Sequence, residues 1–434
     1  MFMNKKTFCL LPFTHISSTN DGNYRICCYS EETLIPKYDG TAYNMREDDI
    51  VSVWNSDFYA KLRQDLLNGI KNPACATCWK QEENGVYSKR QKTLDESHSM
   101  YPSYKKFVKD ALENCYLLSS LPLDIDVKIG TLCNLKCITC YPGASSLHKA
   151  EADQWDKEGI NPPGLIKFFN NRIKDLQIDL DQYNPAIIDI EQLVGNLDPA
   201  LKTAVQLSLV GGEPLVNKIT ERILEYCVEK DYAKSMMLNI ITNLSTVNDK
   251  MLRHLNSFKQ PMLTISYDHV DKDKFKFIRY PADYNHFKKN IDKVLEFTHI
   301  EKKLSTTWSI FNIFDLPEIF DQWEILSNRI STRFIINFGF VFYPNYFSIQ
   351  YLEPEQKAQV IAMVDQYMEL HKDYKIFKEN KELVEAIYSI KGFLNTPITD
   401  FDAVVIERTR VLELYDRTRS TDYKKMFPFI KNYV

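Results

Sequence analysis

The 434-residue chain has no long hydrophobic run. Its apolar stretches are strand-sized, far below the ~20 residues a helix needs to cross a bilayer, so no membrane span is expected. An excess of one charge sign is also missing. Its 54 Lys and Arg stand against 58 Asp and Glu, for a net charge of −4, without the basic footprint of a nucleic-acid binder. The opening residues, Met1-Phe2-Met3-Asn4-Lys5-Lys6, offer only an apolar stub and no small-residue cleavage site, so no secretory signal is expected. That points to a cytoplasmic protein. Internal repeats and low-complexity segments are absent as well. The remainder is ordinary for a globular chain, 44% hydrophobic and 26% charged, and long enough for two or three domains. Its 25 Tyr and 25 Phe promise a large core and say nothing sharper.

Against this background the ten cysteines stand out. Without a secretory signal they argue for metal rather than disulfides. Five lie at 9, 27, 28, 75 and 78, and three at 133, 137 and 140; Cys115 and Cys227 stand apart and read as buried small hydrophobes. The triplet runs Cys133-Asn134-Leu135-Lys136-Cys137-Ile138-Thr139-Cys140, just past an alternating stretch at 121–129 that reads as a strand. Thiolates are the usual ligands of iron–sulfur clusters, and a four-iron cube normally takes four. Three leave one iron with an open position, where a further ligand can bind. Zinc sites instead pair C-x2-C units in twos, and a tight loop does not suit a disulfide.

Further strand-like runs follow at 205–210, 236–241, 262–266, 305–311 and 334–342, with helical patterns such as 219–230 and 284–298 between them. That alternation predicts a parallel sheet or barrel, in which functional groups gather at the strands' C-terminal ends. The strand ends carry Gly211-Gly212-Glu213-Pro214, Thr242-Asn243, Ser266-Tyr267-Asp268 with a following Arg279, and Asn312. Singly, such polar residues are mostly turn or cap residues; together they suggest a lined pocket. The interval 141–204 reads as an insertion with a patterned stretch at 165–198. The segment beyond 353 reads as helical (355–370, 381–390). Its basic tail, Arg408, Arg410, Arg417, Arg419, Lys424 and Lys425, reads as a solvated face.

The C-x3-C-x2-C loop after a strand, with the Gly-Gly-Glu-Pro turn on the next, resembles the radical S-adenosylmethionine (radical SAM) superfamily. One departure is Thr139, where the family usually has an aromatic residue. The resemblance implies a partial (β/α)6 barrel over 116–350. It implies that Cys133, Cys137 and Cys140 hold a catalytic [4Fe–4S] cluster whose open iron takes SAM. Gly211, Gly212, Glu213 and Pro214 would hold the SAM amino group, with Asn243, Ser266, Asp268, Arg279 and Asn312 as further contacts.

The N-terminal part offers a hairpin at Asp21-Gly22, the C-x2-C pair Cys75-Ala76-Thr77-Cys78, and a helix-like stretch before it. Four thiolates from separate loops suit a closed site, and structural zinc is one occupant that fits. Cys9, Gly22-x4-Cys27 and the C-x2-C pair resemble the auxiliary-cluster modules called SPASM and twitch. These imply a second [4Fe–4S] cluster on Cys9, Cys27, Cys75 and Cys78 within a domain at 1–115. Cys27 and Cys28 compete for one place, since neighbours on a strand point to opposite faces. His15 reads as a core histidine. A helical segment at 351–434 completes the chain.

The function implied is reductive cleavage of SAM to a 5′-deoxyadenosyl radical that abstracts hydrogen from a substrate, with a reducing donor such as flavodoxin or ferredoxin. A fully ligated auxiliary cluster adds the prospect of net oxidation. Small sugars or nucleotides and peptides both remain open as substrates. No residue stands out as an acid, a base or a radical relay. The other reading is a non-catalytic iron–sulfur or zinc-binding, redox-sensing protein that retains the fold.

Overall fold

The computed structural model describes residues 6–30, 33–83, 87–100, 104–160, 188–330 and 334–430. Most of the patterned stretch at 165–198 lies outside them. The protein is α/β. From β3 (Asp124–Lys128) onward, through β4 (Gln206–Val210), β5 (Met237–Thr242), β6 (Gln260–Ser266), β7 (Glu301–Trp308) and β8 (Ile335–Phe340), every strand is followed along the chain by helix. This is the order of a partial (β/α)6 barrel of radical SAM type. Two compact units are present, one formed by 1–131, 179–240 and 253–261, the other by 132–178, 241–252 and 262–434.

In the first unit, β1 (His15–Ser18) and β2 (Tyr24–Arg25) form the expected hairpin, Ser17 opposite Arg25. Gly22 turns it with φ +83°, a conformation glycine adopts without a Cβ penalty. β1 also runs parallel to β3, with Ser17 opposite Asp126, so the cysteine-rich segment contributes strands of its own to the sheet. β3 pairs parallel with β4, and β4 with β5. Ile125 and Val127, Leu207 and Leu209, and Leu238 and Ile240 are buried, while their alternates are half-exposed or more. The helices Ile190–Leu201 and Lys218–Glu229 contact each other and bury Leu193, Val194 and Leu197, and Ile219, Ile223 and Cys227. Cys227 is thus the buried hydrophobe expected. Cys115 is not: it is exposed, at φ +54° in a turn after a helix.

In the second unit β6, β7 and β8 pair in parallel. β7 begins earlier than its apolar pattern suggests. Lys302 is buried there because its long stem lets the ammonium reach the Phe297 carbonyl at 2.6 Å, and burial pushes its pKa down to about 8. β7 also stops earlier, at Trp308, because the Asn312 amide oxygen accepts from the Ser309 N–H at 2.8 Å and turns the chain. Helices Pro354–His371, Lys381–Leu394 and Phe401–Arg419 fill the C-terminal part. The basic tail is not uniformly solvated. Arg408 and Arg419 are buried, Arg408 donating to the carbonyls of Tyr346 and Tyr351 at 2.7 Å each.

Candidate cluster sites

The N-terminal thiols converge by tertiary packing. Cys9 lies in an apolar cluster with Leu11, Ile26, Leu62, Leu66, Ala74 and Trp79, and Cys27 and Cys75 pack against it. A 3-10 turn, Pro73–Cys75, runs into the helix Ala76–Glu83, which sets Cys78 one turn beyond Cys75. Asn72 caps that turn, its side chain accepting from the Ala74 N–H at 3.0 Å while its carbonyl takes the Trp79 indole N–H at 2.8 Å. Ser30 closes the Cys27 turn, accepting from the Cys27 N–H at 3.2 Å and donating to its carbonyl at 2.9 Å. Arg90 grips Glu82 and donates to the Phe8 carbonyl at 2.8 Å, next to Cys9.

Cys9, Cys27, Cys75 and Cys78 all line one cavity, with Lys89 and Arg90 on its wall; Cys28 is not among its lining residues. Burial pushes the Cys9 thiol up, and the neighbouring Cys75 and Cys27 push it further. Burial raises Cys27 to about 11 and Cys75 to about 12. These groups are therefore neutral until a metal displaces their protons. Among the described residues, no three His, Cys, Asp or Glu side chains are grouped so as to hold a single metal ion. His15 hydrogen-bonds Asp124 at 2.9 Å and does not line the cavity.

At the end of β4, Gly211 has φ +90° and Gly212 φ +51°. A Cβ on Gly211 would stand 2.8 Å from Asn20 Oδ1 and 3.1 Å from the Gly130 carbonyl, so both backbone and space demand glycine. Glu213 is buried and its Oε1 accepts from the Leu215 N–H at 3.1 Å, capping the turn that begins with Pro214. Asn217 ties the same turn to the Ile129 carbonyl at 2.7 Å.

The 133–140 loop is held at several backbone points. Lys136 and Ile138 donate their N–H groups to the carbonyls of Tyr280 and Ile278, at 2.7 and 2.8 Å. The Cys137 carbonyl accepts from the Cys140 N–H at 2.9 Å and lies 2.8 Å from His148 Nε2. Burial depresses His148 to about 4, so the ring is neutral and can donate from Nε2 to that carbonyl. Ser145 caps the helix Ser146–Lys157 and donates to the Leu135 carbonyl at 2.6 Å. Burial raises the Cys137 thiol, and burial with the other two cysteines raises Cys140 to about 12.

The remaining strand-end residues of this unit fall into two groups. Asn243 meets the loop directly, its Nδ2 donating to Asn134 Oδ1 at 3.1 Å and lying 3.9 Å from Cys133 Sγ. The next residue is Leu244, at φ +52°. That strained conformation is held by Thr242 Oγ1 on its N–H and by Asn290 on its carbonyl, both at 2.9 Å. Asp268 and Arg279 pair with each other at 2.7 Å, and Asp268 also accepts from Thr306 and from the Thr307 N–H. Asn312 is fully buried, its amide donating to the Asp268 and Thr307 carbonyls at 3.1 Å each. Its polar atoms serve the turn. Ser266 ends β6 opposite Ser305.

Sequence reasoning missed the support of the loop by Glu151 and Arg419, which meet at 2.6 Å. The available signal was Arg419 at helical spacing from Leu412 and Tyr415.

Two family models match the chain over these same segments. Residues 127–322 match the radical SAM superfamily and residues 9–79 match the SPASM iron–sulfur cluster-binding domain. No curated protein matches the chain. Among solved structures, Streptococcus suis SuiB is 15% identical with a TM-score of 0.36, covering 87% of this chain and 75% of its own. Native anSMEcpe with bound AdoMet is 14% identical at a TM-score of 0.36, covering 56% and 58%. The radical SAM methyltransferase TsrM from Kitasatospora setae is 9% identical at a TM-score of 0.29. It covers 35% of this chain, which spans 31% of TsrM's length. No helix among the described residues is long and apolar enough to cross a membrane. The domain matches bring with them a [4Fe–4S] cluster with SAM and an auxiliary iron–sulfur cluster. The chain thus joins an N-terminal segment that matches the SPASM iron–sulfur cluster-binding domain to a segment that matches the radical SAM superfamily.

Proposed function

We propose that Cys133, Cys137 and Cys140 hold the catalytic [4Fe–4S] cluster and that Cys9, Cys27, Cys75 and Cys78 hold the auxiliary one. The observation that carries the first part is the loop itself. Its three thiols sit within one short segment whose backbone is fastened by Ile278, Tyr280 and His148, so the chemistry the loop offers is that of its sulfurs. When bound and reduced, the cluster supplies the electron that splits SAM into methionine and a 5′-deoxyadenosyl radical.

The chain's own residues orient and enclose. Gly211 and Gly212 give a ligand close access to backbone groups, and Glu213 offers a carboxylate for the SAM amino group. Asn243 orders the loop from the side of Cys133. Ser266, Asp268 and Arg279 are proposed as the polar wall of the SAM pocket, with Asp268 and Arg279 acting as a mutually neutralised pair and Asn312 holding the turn behind them rather than touching SAM.

At the N-terminal site, thiols bordering a cavity suit a multi-iron body better than zinc, whose bonds of roughly 2.0–2.3 Å draw four donors onto one point. Cys27 is favoured over Cys28 because it lines that cavity. Four thiolates close the auxiliary cluster, which then serves as an electron acceptor rather than a substrate site. This reading makes the reaction a net oxidation of a small sugar or nucleotide, or of a peptide, with flavodoxin or ferredoxin as the reductant. The place of action is the cytoplasm.

The test is anaerobic reconstitution of the wild type and of the Cys133→Ala/Cys137→Ala/Cys140→Ala variant, followed by iron counting and addition of dithionite and SAM. About eight irons in the wild type, about four in the variant, and 5′-deoxyadenosine from the wild type alone are expected for two four-iron clusters. About four irons plus one zinc would make the N-terminal site structural and remove the oxidation. No cleavage of SAM would return the chain to a binding or sensing role.

A further inference from the structure

Arg419 ends the helix Phe401–Arg419, with its side chain only 2% exposed. Its Nε and Nη2 donate to the two carboxylate oxygens of Glu151, at 3.1 and 2.6 Å. Lys136, in the middle of the three-thiol loop, donates to Glu151 Oε1 at 2.6 Å. The guanidinium lies 3.8 Å from the Tyr415 ring centre and 5.3 Å from that of Tyr280, and the Lys136 ammonium is 5.4 Å from the Tyr280 ring. Tyr280 is also the residue whose carbonyl accepts the Lys136 N–H. Glu151 sits one helical turn beyond His148, which holds the Cys137 carbonyl. The group is therefore fastened to the loop from both ends.

Two cations and one anion leave this group with a net charge of +1. A net charge with little solvent access calls for a counter-charge. Arg419 Nη1 is buried and has no hydrogen-bond partner, so the group holds a donor in need of an acceptor. A set of thiolates on an iron–sulfur cluster is anionic and accepts hydrogen bonds at sulfur.

We propose that Arg419, held by Glu151 and Lys136, is a positioning residue that sets the charge beside the three-thiol loop and so the reduction potential of the cluster bound there. This rests on the assignment of the catalytic cluster to Cys133, Cys137 and Cys140. The positive charge favours the reduced, more anionic form, which is the form SAM cleavage needs. Because Arg419 comes from the last long helix, the C-terminal segment bears on cluster electronics without supplying a ligand.

The experiment is a redox titration followed by EPR on the reconstituted full chain, reading the signal that SAM perturbs. Arg419→Gln takes the group from +1 to 0 and is expected to disfavour reduction by about tenfold, or 59 mV for a one-electron couple. Glu151→Gln takes it to +2 and is expected to shift the potential the opposite way. Arg419→Lys keeps the charge and restores most of the wild-type value. If Arg419→Gln fails to fold, Lys136→Gln makes the same charge change and carries the same expected sign. Shifts of one sign in both the Arg419→Gln and the Glu151→Gln variants, or none, would reduce Arg419 to a structural brace and overturn the proposal. A wild type that gives no SAM-perturbed signal would instead sink the cluster assignment, and the proposal with it.

Discussion

At the N-terminal thiols the bracing guanidinium is Arg90, which grips Glu82 from eight residues away. At the loop thiols it is Arg419, which grips Glu151 from 268 residues away. The thiols themselves show the reverse. Cys9, Cys27 and the Cys75–Cys78 pair come from three separate segments, whereas Cys133, Cys137 and Cys140 share one loop. Each site thus has one local component and one assembled only by the fold. The N-terminal site gathers distant ligands and braces them locally; the loop site has local ligands and a distant brace. Neither is complete before its unit has folded.

The comparison breaks first at the ligands, where effects are all-or-none. Cys75→Ala is expected to cost the N-terminal cluster, about half of the iron, and to leave SAM cleavage by the loop cluster measurable under strong reductant. Cys28→Ala is expected to cost no iron, since Cys28 does not line the cavity. Iron counting decides this, and iron loss in Cys28→Ala but not in Cys27→Ala would exchange the assignments of those two residues.

The braces come next. Burial acts to raise both carboxyls, but Arg90 at Glu82, and Arg419 with Lys136 at Glu151, outweigh it and hold each below the usual carboxylate range. A depressed folded pKa contributes stability that is fully present above the unfolded value of about 4.3. That contribution is lost as pH falls through the lower folded value. Glu151→Gln leaves the buried Arg419 and the half-buried Lys136 without their anion and is expected to cost about 3–5 kcal/mol at pH 7. Glu82→Gln strands one cation and should cost less. In both, the gap to wild type should begin to narrow as the pH falls below the unfolded value of about 4.3 and close only below the lower folded value, where the wild-type carboxyl is itself neutral. Denaturant unfolding at pH 7 and pH 3.5 reads this directly. A gap that stays constant with pH would mean the carboxylates stabilise by packing rather than charge.

What could be read in the sequence divides along the same line. The three-thiol loop, the glycine pair after β4 and the hairpin at Gly22 are signals contained within a few residues, where spacing alone dictates geometry. The pairing of β1 with β3 was not readable, because its partner is more than a hundred residues away and His15–Ser18 carries no strand-like alternation. Arg408 and Arg419 looked like a solvated basic face. Only the fold brings the carbonyls of Tyr346 and Tyr351, and the carboxylate of Glu151, to meet them. Strand ends were readable and their use was not: Asp268 and Arg279 both suggest ligand contacts, yet in the fold they meet each other first. β7 was displaced because Lys302, a residue that usually marks solvent, is buried by a carbonyl within its reach.

The smallest expected effects lie in the caps, and they separate the two sites by solvent access. Asn72 caps the turn that carries Cys75, and it is half-exposed. Ser145 caps the helix after the loop, is 1% exposed, and also donates to the Leu135 carbonyl at 2.6 Å. Replacing either cap by alanine is expected to cost about 1 kcal/mol. Glycine distinguishes them. At a cap that water can reach, glycine costs only a few tenths of a kcal/mol, because its bare backbone lets solvent satisfy the helix N–H groups. Asn72 Nδ2 also donates to Asp65 at 2.9 Å, a bond lost in either variant, so Asn72→Gly should recover only the capping part of the loss in Asn72→Ala. At Ser145 solvent has no comparable access, and the Leu135 carbonyl loses its donor in either variant, so Ser145→Gly should be at least as costly as Ser145→Ala. Thermal unfolding of the four variants measures both differences. Recovery by glycine at Ser145 would show that water reaches the base of the loop, and the loop site would then be the more open of the two.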